Sequence, residues 1–172
     1  MEFELHIDKV DPDYRWNRMQ ELGTDNLARF ISYRDDATLA WFTIASGNGG
    51  IRLVPAVGST ITEPEHFRRV NESPVVEIRQ YRIAPGQRAR FAEFFRLRSL
   101  PPLIDFGMAV YGAFDDLDDA NNFVWMRGFP DLAERDRRKA AFYQSKLWLE
   151  ELQDEAFSMI EDYSNVLLAM PV

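Results

Sequence analysis

The side chains able to do chemistry gather on one strand. In Val75-Val76-Glu77-Ile78-Arg79-Gln80-Tyr81-Arg82-Ile83-Ala84-Pro85-Gly86, Glu77, Arg79 and Tyr81 alternate with Val76 and Ile78. A strand period of two puts the ionic and phenolic groups on one face and the apolar ones on the other. An ionic face that leaves water needs partners, because an unpaired buried charge is costly. Enclosed by a facing layer, the Arg79 guanidinium suits a carboxylate or enolate, which it grips through two parallel hydrogen bonds. The plainer reading pairs Arg79 with Glu77, or with an acid of a facing sheet, and gives it no ligand. Tyr81 and Tyr111 are candidate donors to a carbonyl and candidates to assist proton transfer, while Phe123 and Trp125 offer an apolar wall to a planar compound. Arg127, on the strand face of Trp125, is either a second anion contact or a solvated arginine at a strand end. Core packing alone explains such aromatics, since each contributes about 1.5–3 kcal/mol when buried.

Other chemistries find little support. The histidines, His6 and His66, are far apart in sequence and lack metal-ligand spacing, which supports neither a zinc site nor an axial haem ligand. Asp115, Asp116, Asp118 and Asp119 lack the glycine and distal glutamate of a calcium loop and read as a solvated hairpin turn. Gly47-Asn48-Gly49-Gly50 has neither a following lysine nor the spacing of a phosphate cradle. No serine lies in a nucleophile elbow, and the chain has no cysteine, so thiol nucleophiles, thiolate-bound metals and disulfides are excluded. Arg135, Arg137, Arg138 and Lys139 are interleaved with Glu134 and Asp136 and read as a salt-bridged helix face.

A net charge of −8, shared equally between residues 1–74 and 75–172, speaks against nucleic acid as a partner. No window approaches the roughly 18 apolar residues of a membrane span. The acidic N-terminus lacks the pattern of a signal peptide. The expectation is a cytoplasmic protein without membrane partners.

The elements that must position these residues are clearest after residue 74. A strand at 75–83 leads into helical spacing from Gln87 to about Phe106, and Pro101 and Pro102 predict an end or kink near Ser99 and Leu100. Strands follow at 108–114 and 122–129, joined by a polar turn. Asp131 with Glu134 forms a capping box that opens a helical run to about Ile160, with a break near residues 144–146. Residues 165–170 form a closing strand. The order β-α-β-β-α-β is ferredoxin-like, an α+β arrangement in which both helices cover one face of a four-stranded sheet and leave the other open. Residues 1–74 are β-rich: strands at 2–9, 27–33, 39–46 and 51–57, a short helix through Trp16, Met19 and Leu22, then a linker at 58–74. They form an accessory segment or a degenerate second unit. Either that segment or a second copy of the chain must cover the open face, and its shortness favours the homodimer.

Glu77-Ile78-Arg79-Gln80-Tyr81 through Pro85-Gly86, followed by Trp125-Met126-Arg127-Gly128-Phe129-Pro130-Asp131 with the arginine-rich helix and Trp148, resembles the two sequence blocks of the NIPSNAP family. The resemblance spans about residues 75–172. It implies a dimeric α/β-barrel, in which two such sheets face each other around a cavity, and it implies no defined activity. In such a barrel the Glu77, Arg79 and Tyr81 face would look inward.

Two functions follow from these residues. One is a cavity that binds or transforms a small anionic organic compound without a metal or redox cofactor, with Arg79, Tyr81 and Tyr111 as catalytic groups and Glu77, Phe123, Trp125 and Arg127 around the ligand. The other is a non-catalytic protein whose sheet face is mainly an assembly surface. A walled cavity with converging polar groups favours the first, and a face packed solid by aromatics favours the second.

Overall fold

The computed structural model describes residues 1–23, 25–34, 37–47 and 49–172. Asp35 and Asp36 of the expected hairpin link, and Asn48 of the glycine turn, lie outside the described residues. The first half holds β1 (Phe3–Lys9), α1 (Arg15–Glu21), β2 (Ala28–Ser32), β3 (Thr38–Ile44), β4 (Ile51–Pro55) and a 3-10 helix at Pro64–Glu72. The second holds β5 (Val75–Ile83), α2 (Arg88–Phe94), a π-helical stretch Phe95–Ser99, α3 (Leu100–Asp105), β6 (Ala109–Asp116) and β7 (Asn122–Phe129). It continues with α4 (Leu132–Tyr143), a π-helical stretch Leu147–Leu152, α5 (Gln153–Phe157) and β8 (Ile160–Pro171).

The strands close into one barrel in the order β1-β3-β2-β8-β5-β7-β6-β4, with β4 returning to β1. Each half contributes its strands in the ferredoxin-like order fourth-first-third-second, and the halves join where β2 meets β8 and β4 meets β6. The expectation that a second copy covers the open sheet face is therefore corrected. Residues 1–74 cover it within one chain, and they fit because they omit one helix. β3 and β4 both run antiparallel to β1, hence parallel to each other, and such a crossover is usually made by a helix. Here residues 45–50 make it, over a single strand.

Alternation decides which side chains enter the barrel. Val76, Ile78, Val124 and Met126 point inward and meet Phe3, Leu5, Phe30 and Phe42 from the other half. The 3-10 helix, expected to be mere linker, adds Phe67 and Val70. The Phe67 ring lies 5.2 Å from Phe3 and 5.0 Å from Phe42 between centroids, so the interior is packed with rings. Glu77, Arg79 and Tyr81 cannot share that interior. Their face carries Phe123, Trp125 and Phe129 as well, and it packs under the helices of the second half. The expected inward view of the ionic face is corrected to a view of the helix layer.

The first helical run passes the prolines instead of ending before them. Phe95–Ser99 opens into π geometry, and α3 then carries Pro101 and Pro102 at its start, where their missing N–H groups are tolerated. Among the described residues no helix is long and apolar enough to cross a membrane.

Candidate ligand-binding site

The start of α4 sets the phase of the site. The Asp131 carboxylate accepts the Glu134 backbone N–H at 2.7 Å, an N-cap that fixes where the following side chains point. Arg135, Lys139 and Tyr143, spaced by four, fall on the side that meets the sheet. Arg137 and Arg138 turn to Glu134 at 2.7 and 2.8 Å. The basic cluster expected to be one salt-bridged face is thus divided, and half of it is directed inward.

Its target is Glu77, which is fully buried. The carboxylate accepts from Arg79 Nη1 at 2.9 Å, Arg127 Nε at 2.7 Å, Arg135 Nε at 2.6 Å and Lys139 Nζ at 3.1 Å. Burial pushes the Glu77 carboxyl up, but Arg127, Arg79, Lys139 and Arg135 together hold it well below the usual carboxylate range. Burial also draws the Lys139 ammonium down, against the pull of Glu77. Four cations share this buried carboxylate, and only Arg135 also reaches the exposed Asp136, at 2.6 Å, which leaves an excess of positive charge beneath the helices. The second guanidinium atoms reach phenols: Arg79 Nε donates to Tyr81 Oη at 3.1 Å and Arg127 Nη1 to Tyr143 Oη at 3.2 Å. The two guanidinium groups lie 5.4 and 5.2 Å from the Trp125 ring, a cation–π arrangement. Among the described residues, Arg127 Nη2 and Trp125 Nε1 are buried donors without a hydrogen-bond partner.

Beside this cluster, between sheet and helices, lies a cavity of about 440 Å³. Arg79, Tyr81, Lys139 and Tyr143 border it, and Phe91, Phe95, Trp125, Phe142 and Trp148 contribute apolar wall. Both π-helical stretches reach it, one through Phe95 and Ser99 and the other through Trp148. A π turn widens the helix locally and re-aims the side chains around it, a device frequent at functional sites.

Of the residues singled out from sequence, Glu77, Arg79, Tyr81, Trp125 and Arg127 come together. Phe123 lies deeper and fills core, with ring centroids 5.0 Å from Phe91 and 5.5 Å from Phe95. Tyr111 is elsewhere. Counted back from Ala113, which pairs with Trp125, alternation would set Tyr111 on the Arg79 face, but a bulge between Val110 and Gly112 resets the phase. The Tyr111 hydroxyl instead shares a hydrogen bond with Ser73 Oγ, and its ring lies over Gly128, where any Cβ would collide with it. Arg135, Lys139 and Tyr143 were missed as a group. Their four-residue spacing from the Asp131 cap was the available signal.

The remaining candidates lie apart. His66 Nδ1 accepts from the Thr62 and Glu63 N–H groups, both at 3.3 Å. Asp116 Oδ1 accepts the backbone N–H groups of Asp118 and Asp119 at 2.8 and 3.0 Å, which organises the hairpin turn. His6 belongs to a second version of the same geometry. Glu4 pairs with Thr43 and His6 with Trp41 across β1 and β3, just as Glu77 pairs with Arg127 and Arg79 with Trp125 across β5 and β7. The register supplies the correspondence between halves that residue identity alone does not.

Comparisons with known proteins agree with this division. An uncharacterized NIPSNAP domain protein from Burkholderia xenovorans, 17% identical with a TM-score of 0.52, aligns over 57% of this chain and 94% of its own. A NIPSNAP family protein from Agrobacterium tumefaciens, 20% identical with a TM-score of 0.52, aligns over 57% and 85%. An uncharacterized ferredoxin-fold protein related to antibiotic biosynthesis monooxygenases, from Listeria monocytogenes, aligns over 99% of this chain and 94% of its own at 7% identity and a TM-score of 0.60, a likeness of fold alone. No curated protein matches the chain. The NIPSNAP family model matches residues 76–171, more than half of the sequence, and the chain belongs to that family.

Proposed function

We propose that the cavity between the C-terminal sheet and its helices binds, and in one reading transforms, a small organic anion with an apolar body. The observation that carries this is the imbalance beside it, one buried carboxylate among Arg79, Arg127, Arg135 and Lys139, with Arg79 and Lys139 on the cavity wall itself. The charged groups bordering the cavity are the Arg79 guanidinium and the Lys139 ammonium, joined by phenols, the Ser99 hydroxyl and the Gln153 amide, a set that attracts anions and disfavours a bare metal cation. Its volume is within the range of small-molecule sites, and its aromatic walls suit a planar or aryl body. The second reading, binding without chemistry, uses the same cavity. The assembly surface it invoked corresponds to the opposite face of the sheet, where Phe114 packs against Phe3, Phe42 and Phe67 of the first half.

The test compares a matched pair, phenylpropionate and its neutral amide, by calorimetry and tryptophan fluorescence. The anion is expected to bind at least about tenfold more tightly than the amide, a difference of about 1.4 kcal/mol. Arg79→Met is expected to abolish that preference. Equal binding of acid and amide, or an unchanged preference in Arg79→Met, would overturn the proposal.

A further inference from the structure

Tyr143 differs from the other titratable groups on this cavity, of which Tyr163 is exposed with its ring stacked on Phe157 at 5.3 Å. Arg79 stays protonated at any physiological pH. Lys139 is held on Glu77 at 3.1 Å. Tyr81 is buried and accepts from Arg79 Nε at 3.1 Å. Tyr143 is only partly buried, borders the cavity, and accepts from Arg127 Nη1 at 3.2 Å, with that guanidinium 5.7 Å from its ring. It combines an adjacent permanent cation with a place on the cavity wall.

We propose that Tyr143 is the proton-transfer group of this cavity and that the compounds it acts on are enolisable aryl 2-oxo acids. This rests on the anion-binding reading above. The Tyr143 phenolate takes a proton from the carbon beside the carbonyl. The C–H electron pair becomes the C=C bond, and the carbonyl oxygen becomes an enolate that Arg79 and Lys139 are placed to meet. Transfer of that proton from Tyr143 to the enolate oxygen completes the keto–enol interconversion, and its return to carbon regenerates the ketone, with no oxidant or reductant consumed.

The electrostatics support the assignment. Burial pushes the Tyr143 hydroxyl up, but Arg127 on β7 and Arg79 on β5 outweigh it and leave it below the ordinary tyrosine value, with Glu77 opposing them. On its own helix Lys139 and Arg135 are both paired with Glu77, and Arg135 with Asp136 as well. Tyr81, by contrast, is raised by burial and stays a phenol.

Two readouts test the role. In a near-ultraviolet titration of tyrosinate, one of the six tyrosines is expected to ionise below the others. Tyr143→Phe should remove that early step, Tyr81→Phe should keep it, and Arg79→Met, which retains Tyr143, should move it upward. In deuterium oxide, exchange of the phenylpyruvate methylene protons, followed by NMR, is expected to fall by about two orders of magnitude in Tyr143→Phe. An early step that survives in Tyr143→Phe, or exchange that does, would overturn the role. So would exchange lost in Lys139→Met but kept in Tyr143→Phe. Phenylpropionate binding separates the two readings. If it is retained while Tyr143→Phe leaves exchange unchanged, proton transfer alone is wrong; if the unaltered protein does not bind it, both readings fall.

Discussion

In the C-terminal half, the buried Glu77 is met by four cations, two of them delivered by α4, and a cavity of about 440 Å³ lies alongside. In the N-terminal half, Glu4 occupies the equivalent position and is also fully buried, but none of its partners among the described residues lies on a helix. The crossover loop does that work. Gly47 N–H donates to Glu4 Oε1 at 2.7 Å, and His6 lies 3.4 Å away, its ring stacked on Trp41 at 5.0 Å. The neighbouring cation, Arg18, is paired with Asp8 at 3.2 Å and Glu21 at 3.5 Å. The same carboxylate position can be satisfied by backbone or by charge. Only the second solution leaves a positive excess for a ligand.

The contrast is open to direct attack. Glu77→Gln leaves buried cations without their counter-charge and should cost about 3–5 kcal/mol. Glu4→Gln keeps an acceptor for Gly47 and should cost no more than about 1.5 kcal/mol. Urea unfolding of both variants measures the difference, and equal costs would dissolve the contrast.

Acid should act on the C-terminal half through the same group. Glu77 is depressed in the folded chain, so its contribution is fully present above its ordinary value of 4.5 and drains away as pH falls below that toward the lowered folded value. Thermal unfolding should therefore show a steep loss of stability below about pH 4.5 in the unaltered chain and a flatter one in Glu77→Gln.

A ligand should sense only one half. At a concentration tenfold above its Kd, phenylpropionate should stabilise the protein by about 1.4 kcal/mol. The accompanying fluorescence change should vanish when Trp125 and Trp148 are both replaced by Phe and persist in Trp41→Phe. The reverse pattern would move the site to the N-terminal half.

The smallest effect concerns the loop. A Cβ at Gly50 would lie 2.8 Å from His6 Cε1, so Gly50→Ala should cost about 1 kcal/mol, relieved when His6→Ala is combined with it. A double-mutant cycle by thermal unfolding reads the coupling.

Much of the C-terminal half was legible beforehand because its signals are local. The alternation of β5, the break before Leu147 and the Asp131 cap each depend on a few adjacent residues. The site was legible in part for the same reason: Glu77, Arg79 and Tyr81 share a face by parity, and Trp125 and Arg127 share theirs. Tyr111 was misplaced because a bulge is a two-strand event, invisible along one strand. Lys139 and Arg135 were read as part of a salt-bridged helix face because their actual partner lies on a strand about sixty residues earlier. Phe67 was overlooked because a single apolar pair three residues apart, Phe67 and Val70, in an otherwise charged segment marks one turn of helix but not what it packs against.

By itself the sequence determined which side chains lie on the same face of each strand and where α4 begins, since backbone geometry and capping act within a few residues. Tertiary structure alone decided which face meets helices and which fills the barrel. That choice depends on what covers each face, here a half-barrel from the same chain joined through β2–β8 and β4–β6, and on partners brought together across most of its length.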